Sequence, residues 1–142
     1  MTEISRSVAL AASAEEIWAL VGPFDAMTRW HPAVLDSKLG VDEGRMVRHL
    51  VFVGGIKVTE LLIQHDDDAM VQRYAISDGG RLPVADFTAT LRVVAATPET
   101  CEVRWSCLFE PAGAPEDVVR EAIEGIFDAG MNSLADRFGK AP

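Results

Sequence analysis

The first apolar pattern is loose: Ile4, Val8 and Leu10 fall on one face of the segment Ile4–Ala11, which predicts a strand. Ser13-Ala14-Glu15-Glu16 has the spacing of a capping box, in which the serine hydroxyl accepts from the backbone N–H three residues on. Ile17, Trp18, Leu20 and Val21 then supply the stripe of a short helix that Gly22-Pro23 stops. Phe24 to Trp30 predicts a second short helix. It ends before Pro32, whose ring disfavours helical backbone at His31.

From here the period drops to two. Val34–Leu39, Met46–Phe52, Ile56–Gln64, Ala69–Ser77, Val84–Ala95 and Cys101–Phe109 read as six strands of an antiparallel meander. Gly54-Gly55, Asp66-Asp67-Asp68, Asp78-Gly79-Gly80 and Thr97-Pro98-Glu99 supply turns. The last two strands alternate most cleanly, so Phe87, Ala89, Leu91 and Val93, then Cys101, Val103, Trp105, Cys107 and Phe109, face one side. Asp86 is expected to be exposed. The period then returns to helical: Val119, Ile123, Ile126, Phe127, Met131, Leu134 and Phe138 line one face of Pro115–Phe138. Gly125 and Gly130 interrupt that helix, each at about 1 kcal/mol. Gly130 sits on the inward stripe, and its missing side chain leaves room for a close-packed strand or for a ligand.

Composition narrows the picture. A chain of 142 residues, 49% hydrophobic and with no linker or repeat, predicts one globular domain over residues 1–142. A net charge of −9 argues against nucleic acid, which needs a basic stripe. No apolar run approaches a membrane span, and the N-terminal residues do not read as a secretory signal. Cys101 and Cys107 would lie about 20 Å apart on one straight strand, beyond the roughly 7 Å limit of a disulfide. They are expected to be free, buried thiols in a cytoplasmic protein.

Strand register brings candidate chemistry together. With Gly54-Gly55 as a two-residue hairpin loop, His49 stands opposite Glu60. With Asp66-Asp67-Asp68 as a three-residue loop, Tyr74 stands opposite Glu60 as well. His49, Glu60 and Tyr74 would then form a polar row of acid/base-competent groups on the cavity wall. A one-residue bulge would put Arg48 beside Glu60 instead. A solvated surface pair is the plainer alternative. His65 beside the three aspartates at a hairpin tip is read as solvated, not as a metal site, and no cofactor or metal is expected.

One strand, two short helices, six strands and a long C-terminal helix is the order of the helix-grip fold, an α+β architecture. In it a curved seven-stranded antiparallel sheet wraps around the last helix. Glu16-Ile17-Trp18, Phe24-Asp25, Arg29-Trp30-His31-Pro32, Thr59-Glu60-Leu61-Leu62, Leu82–Phe87, Val103-Arg104-Trp105, Phe109-Glu110-Pro111 and Ala129–Leu134 carry a resemblance over essentially the whole chain. By these the sequence resembles the START-like or Bet v 1-like superfamily, in its polyketide cyclase/dehydrase and lipid-transport branch. The resemblance implies a cavity between sheet and helix that holds a small hydrophobic or amphipathic molecule. Its expected lining is Trp30, Glu60, Tyr74, Phe87, Trp105, Phe127 and Met131, with a volume of a few hundred Å³. The alternatives are a polyketide cyclase or dehydratase using Glu60 with His49 or Tyr74 as acid and base, and an interaction module with a solid core. A monomer or homodimer is expected.

Overall fold

The computed structural model describes residues 1–142. The chain runs through β1 (Thr2–Leu10), α1 (Ala14–Val21), α2 (Met27–Trp30), β2 (Val34–Asp42) and β3 (Arg45–Phe52). It continues through β4 (Lys57–Asp66), β5 (Val71–Asp78), β6 (Val84–Thr97), β7 (Thr100–Pro111) and α3 (Glu116–Phe138). Strands β2 to β7 form a meander, and β1 closes onto β7, giving the order β1-β7-β6-β5-β4-β3-β2 with every neighbouring pair antiparallel. This is the helix-grip architecture: the sheet's apolar face needs a cover, and α3 is the one helix long enough to provide it.

Local chemistry explains most of the boundaries. Ser13 caps α1 by accepting from the Glu16 N–H at 3.2 Å. The second helix is shorter than its sequence suggests, starting at Met27 instead of Phe24. Phe24 lies in a turn closed by the Ala26 N–H on the Pro23 carbonyl, and its ring is drawn into the core. Strands β2 and β3 run longer than their alternation suggests, because Glu43-Gly44 makes a two-residue turn. Both residues have positive φ, 50° and 78°, the backbone hand that matches strand twist. Asp86 is exposed and sits in a bulge where β6 shifts register against β7.

The Cys101–Phe109 alternation is realised: Cys101, Val103, Trp105, Cys107 and Phe109 are all buried. Both thiols are free. Burial pushes the Cys107 pKa up to about 12, so it stays a protonated, poorly nucleophilic thiol at neutral pH.

Trp105 is the hub between sheet and helix. Its ring stacks on Phe127 of α3 with centroids 4.1 Å apart and planes 7° from parallel. Trp30 and His31 meet it edge-on at 5.5 and 6.0 Å. Gly130 is what allows this approach. A Cβ there would lie 2.9 Å from both Trp30 and His31 and 3.0 Å from Trp105. The glycine therefore makes room for aromatic packing and not for a ligand, which corrects the second of its two readings. The same gap lets His31 Nε2 donate to the Ile126 carbonyl at 2.7 Å, one helical turn before Gly130. Its Nδ1 accepts from the Ala33 N–H at 3.1 Å, so the two partners fix the neutral tautomer.

Three outcomes follow from this cluster. Gly130→Leu is expected to destabilise the fold by at least the roughly 1–3 kcal/mol of an overpacked core, and Trp105→Ala by about 3–5 kcal/mol, both read from urea midpoints. Burial holds the His31 pKa below the ordinary imidazole value, so below about pH 6.5 the unfolded chain takes up a proton that the folded one refuses. Stability should be full above that pH and fall as pH drops through it toward the folded pKa. Denaturation midpoints for wild type and His31→Asn at pH values of about 7.5 and 5.5 should show the variant losing this dependence.

Candidate functional site

The register of three central strands decides which polar groups meet. Arg48 stands opposite Glu60, and His49 stands opposite Thr59. The expected Gly54-Gly55 loop gains a residue: the Phe52 N–H donates to the Ile56 carbonyl at 2.8 Å, leaving Val53-Gly54-Gly55 as the loop. The cause is Val53, whose N–H is pulled onto the Ala33 carbonyl at 2.8 Å at the start of β2. His49 is consequently on the outer, exposed face, paired with the Thr59 hydroxyl at 3.0 Å. It is not part of the inner row. This corrects the His49–Glu60 pairing and realises the Arg48 alternative.

A second correction concerns Tyr74. It stands opposite Leu62, and Glu60 stands opposite Ile76, because β4 bulges between Leu62 and Gln64 and the turn is longer than three residues. Tyr74 is thus a diagonal neighbour of Glu60 on the same face, not its direct partner. Both are buried.

Arg48 and Glu60 form a buried ion pair in which Nε and Nη2 of the arginine both donate to Glu60 Oε1, each at 2.7 Å. Arg48 Nη1 donates to the Phe24 carbonyl at 3.0 Å. The guanidinium lies over the rings of Phe24 and Tyr74, 4.3 and 4.6 Å from their centroids, favourable cation–π positions. Arg48 thereby ties the α1–α2 connection to the sheet. Glu60 Oε2 takes no hydrogen bond from the protein. Burial raises the Glu60 carboxyl above the ordinary carboxylate value, with the Arg48 charge pulling the other way. The Tyr74 hydroxyl accepts from Trp105 Nε1 at 2.9 Å, and its own proton has no acceptor in the protein. Burial and the Glu60 charge hold the phenol far above its usual pKa, so it is neutral and a donor.

Glu60 and Tyr74 line a small cavity of about 20 Å³ between sheet and helix. Phe87 and Trp105 line it from the sheet, Ile123 and Phe127 from α3, and eleven of its twelve lining residues are hydrophobic. It is far smaller than the few hundred Å³ expected and holds about one water molecule. The Trp105–Phe127 stack fills the space that the missing Gly130 side chain suggested was free. Trp30 and Met131 are buried but do not line the cavity. Trp30 packs edge-on against Trp105 beside Gly130.

A second pocket, about 190 Å³ and lined only by apolar residues, lies outside this cavity and opens between the β3–β4 loop, Leu82 and α3. Phe52, Val58, Leu82 and Ile126 line both spaces and form the partition between them. None of these four stood out in the sequence as a site residue. The available signal was their position: Phe52 and Val58 flank the Gly54-Gly55 turn, and Leu82 precedes Pro83 at the next hairpin end. His65 is not near the cavity. It stacks on Trp18 at 5.5 Å and bonds Asp67, whose other partner is Trp18 Nε1, so the cluster pins α1 to the β4–β5 turn.

The family model for polyketide cyclase/dehydrase and lipid transport matches residues 1–139. The chain belongs to this family. Among solved structures, the protein XoxI from Bacillus cereus superposes with a TM-score of 0.90 at 29% identity, covering 97% of this chain and 96% of that one. A protein from Thermobifida fusca gives 0.80 at 32% identity, with 98% and 94% covered. The Zhui aromatase/cyclase from Streptomyces sp. R1128 gives 0.77 at 17% identity, with 96% and 92% covered, a likeness of fold. No curated protein matches the sequence. No helix is long and apolar enough to cross a membrane.

The ion pair yields a stability test. Arg48→Met leaves Glu60 as a buried carboxylate with no counter-charge and should cost about 3–5 kcal/mol, whereas Arg48→Met/Glu60→Met removes both charges and should recover most of that loss. Urea denaturation of the two variants beside wild type measures it. Equal losses would mean that the charges are not coupled.

Proposed function

We propose that this protein binds a small apolar or amphipathic molecule between the sheet and α3. The observation that carries this reading is the adjacency of two apolar spaces. An inner cavity with Glu60 and Tyr74 as its polar end adjoins an all-apolar outer pocket, divided from it only by the side chains of Phe52, Val58, Leu82 and Ile126. Ligand sites elsewhere share this composition, a mostly hydrophobic concavity with few convergent polar groups. Occupation requires the partition to part, because neither space alone reaches the usual volume of such sites. Glu60, Tyr74, Phe87, Trp105 and Phe127 are the proposed ligand contacts.

The cyclase reading draws on one specific observation. A carboxyl held above its ordinary pKa, with an unpartnered oxygen, lies near a neutral phenol whose proton is free. That is an acid/base pair of the kind enolisation and dehydration require, and the family includes cyclases by description. In this reading Glu60 takes the proton and Tyr74 donates one. His49 has no part in it. Turnover of a polyketide-like substrate with a pH profile abolished by Glu60→Gln would favour it over binding alone.

The binding reading is tested at the mouth. Ala122 is an exposed α3 residue that lines the outer pocket, so Ala122→Trp fills the entrance without disturbing the core. Naphthalene uptake, followed by fluorescence, should weaken by about tenfold or more, roughly 1.4 kcal/mol, while the urea midpoint stays near that of wild type. Unchanged uptake by the folded variant would sink the assignment of the entrance.

A further inference from the structure

We infer that the cavity selects ligands with a neutral hydroxyl head and rejects carboxylates and amines; this rests on the binding reading above. The polar end of the cavity offers two unused valences. Glu60 Oε2 is an acceptor without a donor, and the Tyr74 hydroxyl proton is a donor without an acceptor. A hydroxyl group complements both at once, donating to Glu60 Oε2 and accepting from Tyr74.

Charge excludes the alternatives. Arg48 does not line the cavity. Its guanidinium is committed to Glu60 Oε1 and the Phe24 carbonyl and is covered by the rings of Phe24 and Tyr74. An anionic head entering the cavity would therefore meet the Glu60 carboxylate and not the arginine. An ammonium head would bring a third charge to a pair that is already neutralised, and a buried charge without its own partner is costly. Entering head-out does not help an anion either, since no cationic residue lines the outer pocket. Only the uncharged head adds no net charge to the site. The walls favour an apolar body: Phe87, Trp105 and Phe127 are among the lining of the inner space, and the outer pocket beyond the partition is wholly apolar.

The test is titration calorimetry near neutral pH with four probes sharing one ring system: 2-naphthol, 2-naphthoate, 2-naphthylmethylamine and naphthalene. The expected order is 2-naphthol tightest, with 2-naphthoate and the amine each weaker by at least tenfold and naphthalene between. Tyr74→Phe, which removes only an oxygen, should bring 2-naphthol down to the affinity of naphthalene while leaving naphthalene unchanged. Glu60→Gln frees the Arg48 charge and should move the preference toward 2-naphthoate; if that variant does not fold, the Tyr74→Phe result stands in its place. Binding of 2-naphthoate or the amine as tight as that of 2-naphthol overturns the selectivity while leaving a binding protein. Binding of none of the four, naphthalene included, overturns the binding reading and the selectivity with it.

Discussion

Everything in this fold is arranged around the face-to-face contact of Trp105 with Phe127. One ring belongs to the sheet and the other to the helix, so their stacking sets the height of α3 above the strands. The approach is possible because Gly130 has no Cβ, and it is held by His31, which reaches across the same gap to the helix backbone. Shape and cavity size are therefore one constraint. The contact that joins helix to sheet is also the one that fills the interior and leaves only about 20 Å³ beside Glu60 and Tyr74.

The site inherits its electrostatics from this packing. Trp105 donates its indole proton to Tyr74, which leaves the phenol proton without an acceptor beside the cavity. Arg48 is held between aromatic rings and keeps Glu60 paired on one oxygen only. The nearly apolar cavity thus retains one acceptor, Glu60 Oε2, and one donor, the Tyr74 hydroxyl. Neither is exposed to bulk water, and each works in a low effective dielectric where a matched hydrogen bond counts for more.

Much of the architecture was legible in the sequence because periodicity survives local error. The change from period two to helical period placed β7 and α3, and the alternation through Trp105 assigned its buried face correctly. Register was less legible. A single backbone hydrogen bond, from Val53 to Ala33, lengthens the Gly54-Gly55 turn and replaces His49 with Arg48 beside Glu60. A bulge at Ile63 moves Tyr74 by a comparable step. The first depends on a contact between Val53 and a residue twenty positions earlier, the second on a local extra residue, and alternation encodes neither. Gly130 was visible as an anomaly, but its meaning lay in Trp30 and His31, about a hundred positions earlier. The partition residues were hidden for a related reason: as ordinary apolar side chains they acquire a role only from where the hairpin tips approach α3.

The Arg48–Glu60 pair also bears on which register of β3 and β4 is stable. Hydrophobic alternation alone tolerates sliding of β3 along β4, since apolar residues flank the pair in both strands. A slip of one residue turns one of the two charged side chains to the outer face and strands the other inside without a counter-charge. Such a mispaired hairpin is penalised by several kcal/mol, a large fraction of a small domain's whole stability. The ion pair contributes little net attraction, yet it makes the misregistered sheet untenable. It singles out one alignment of β3 on β4 where apolar patterning would accept others.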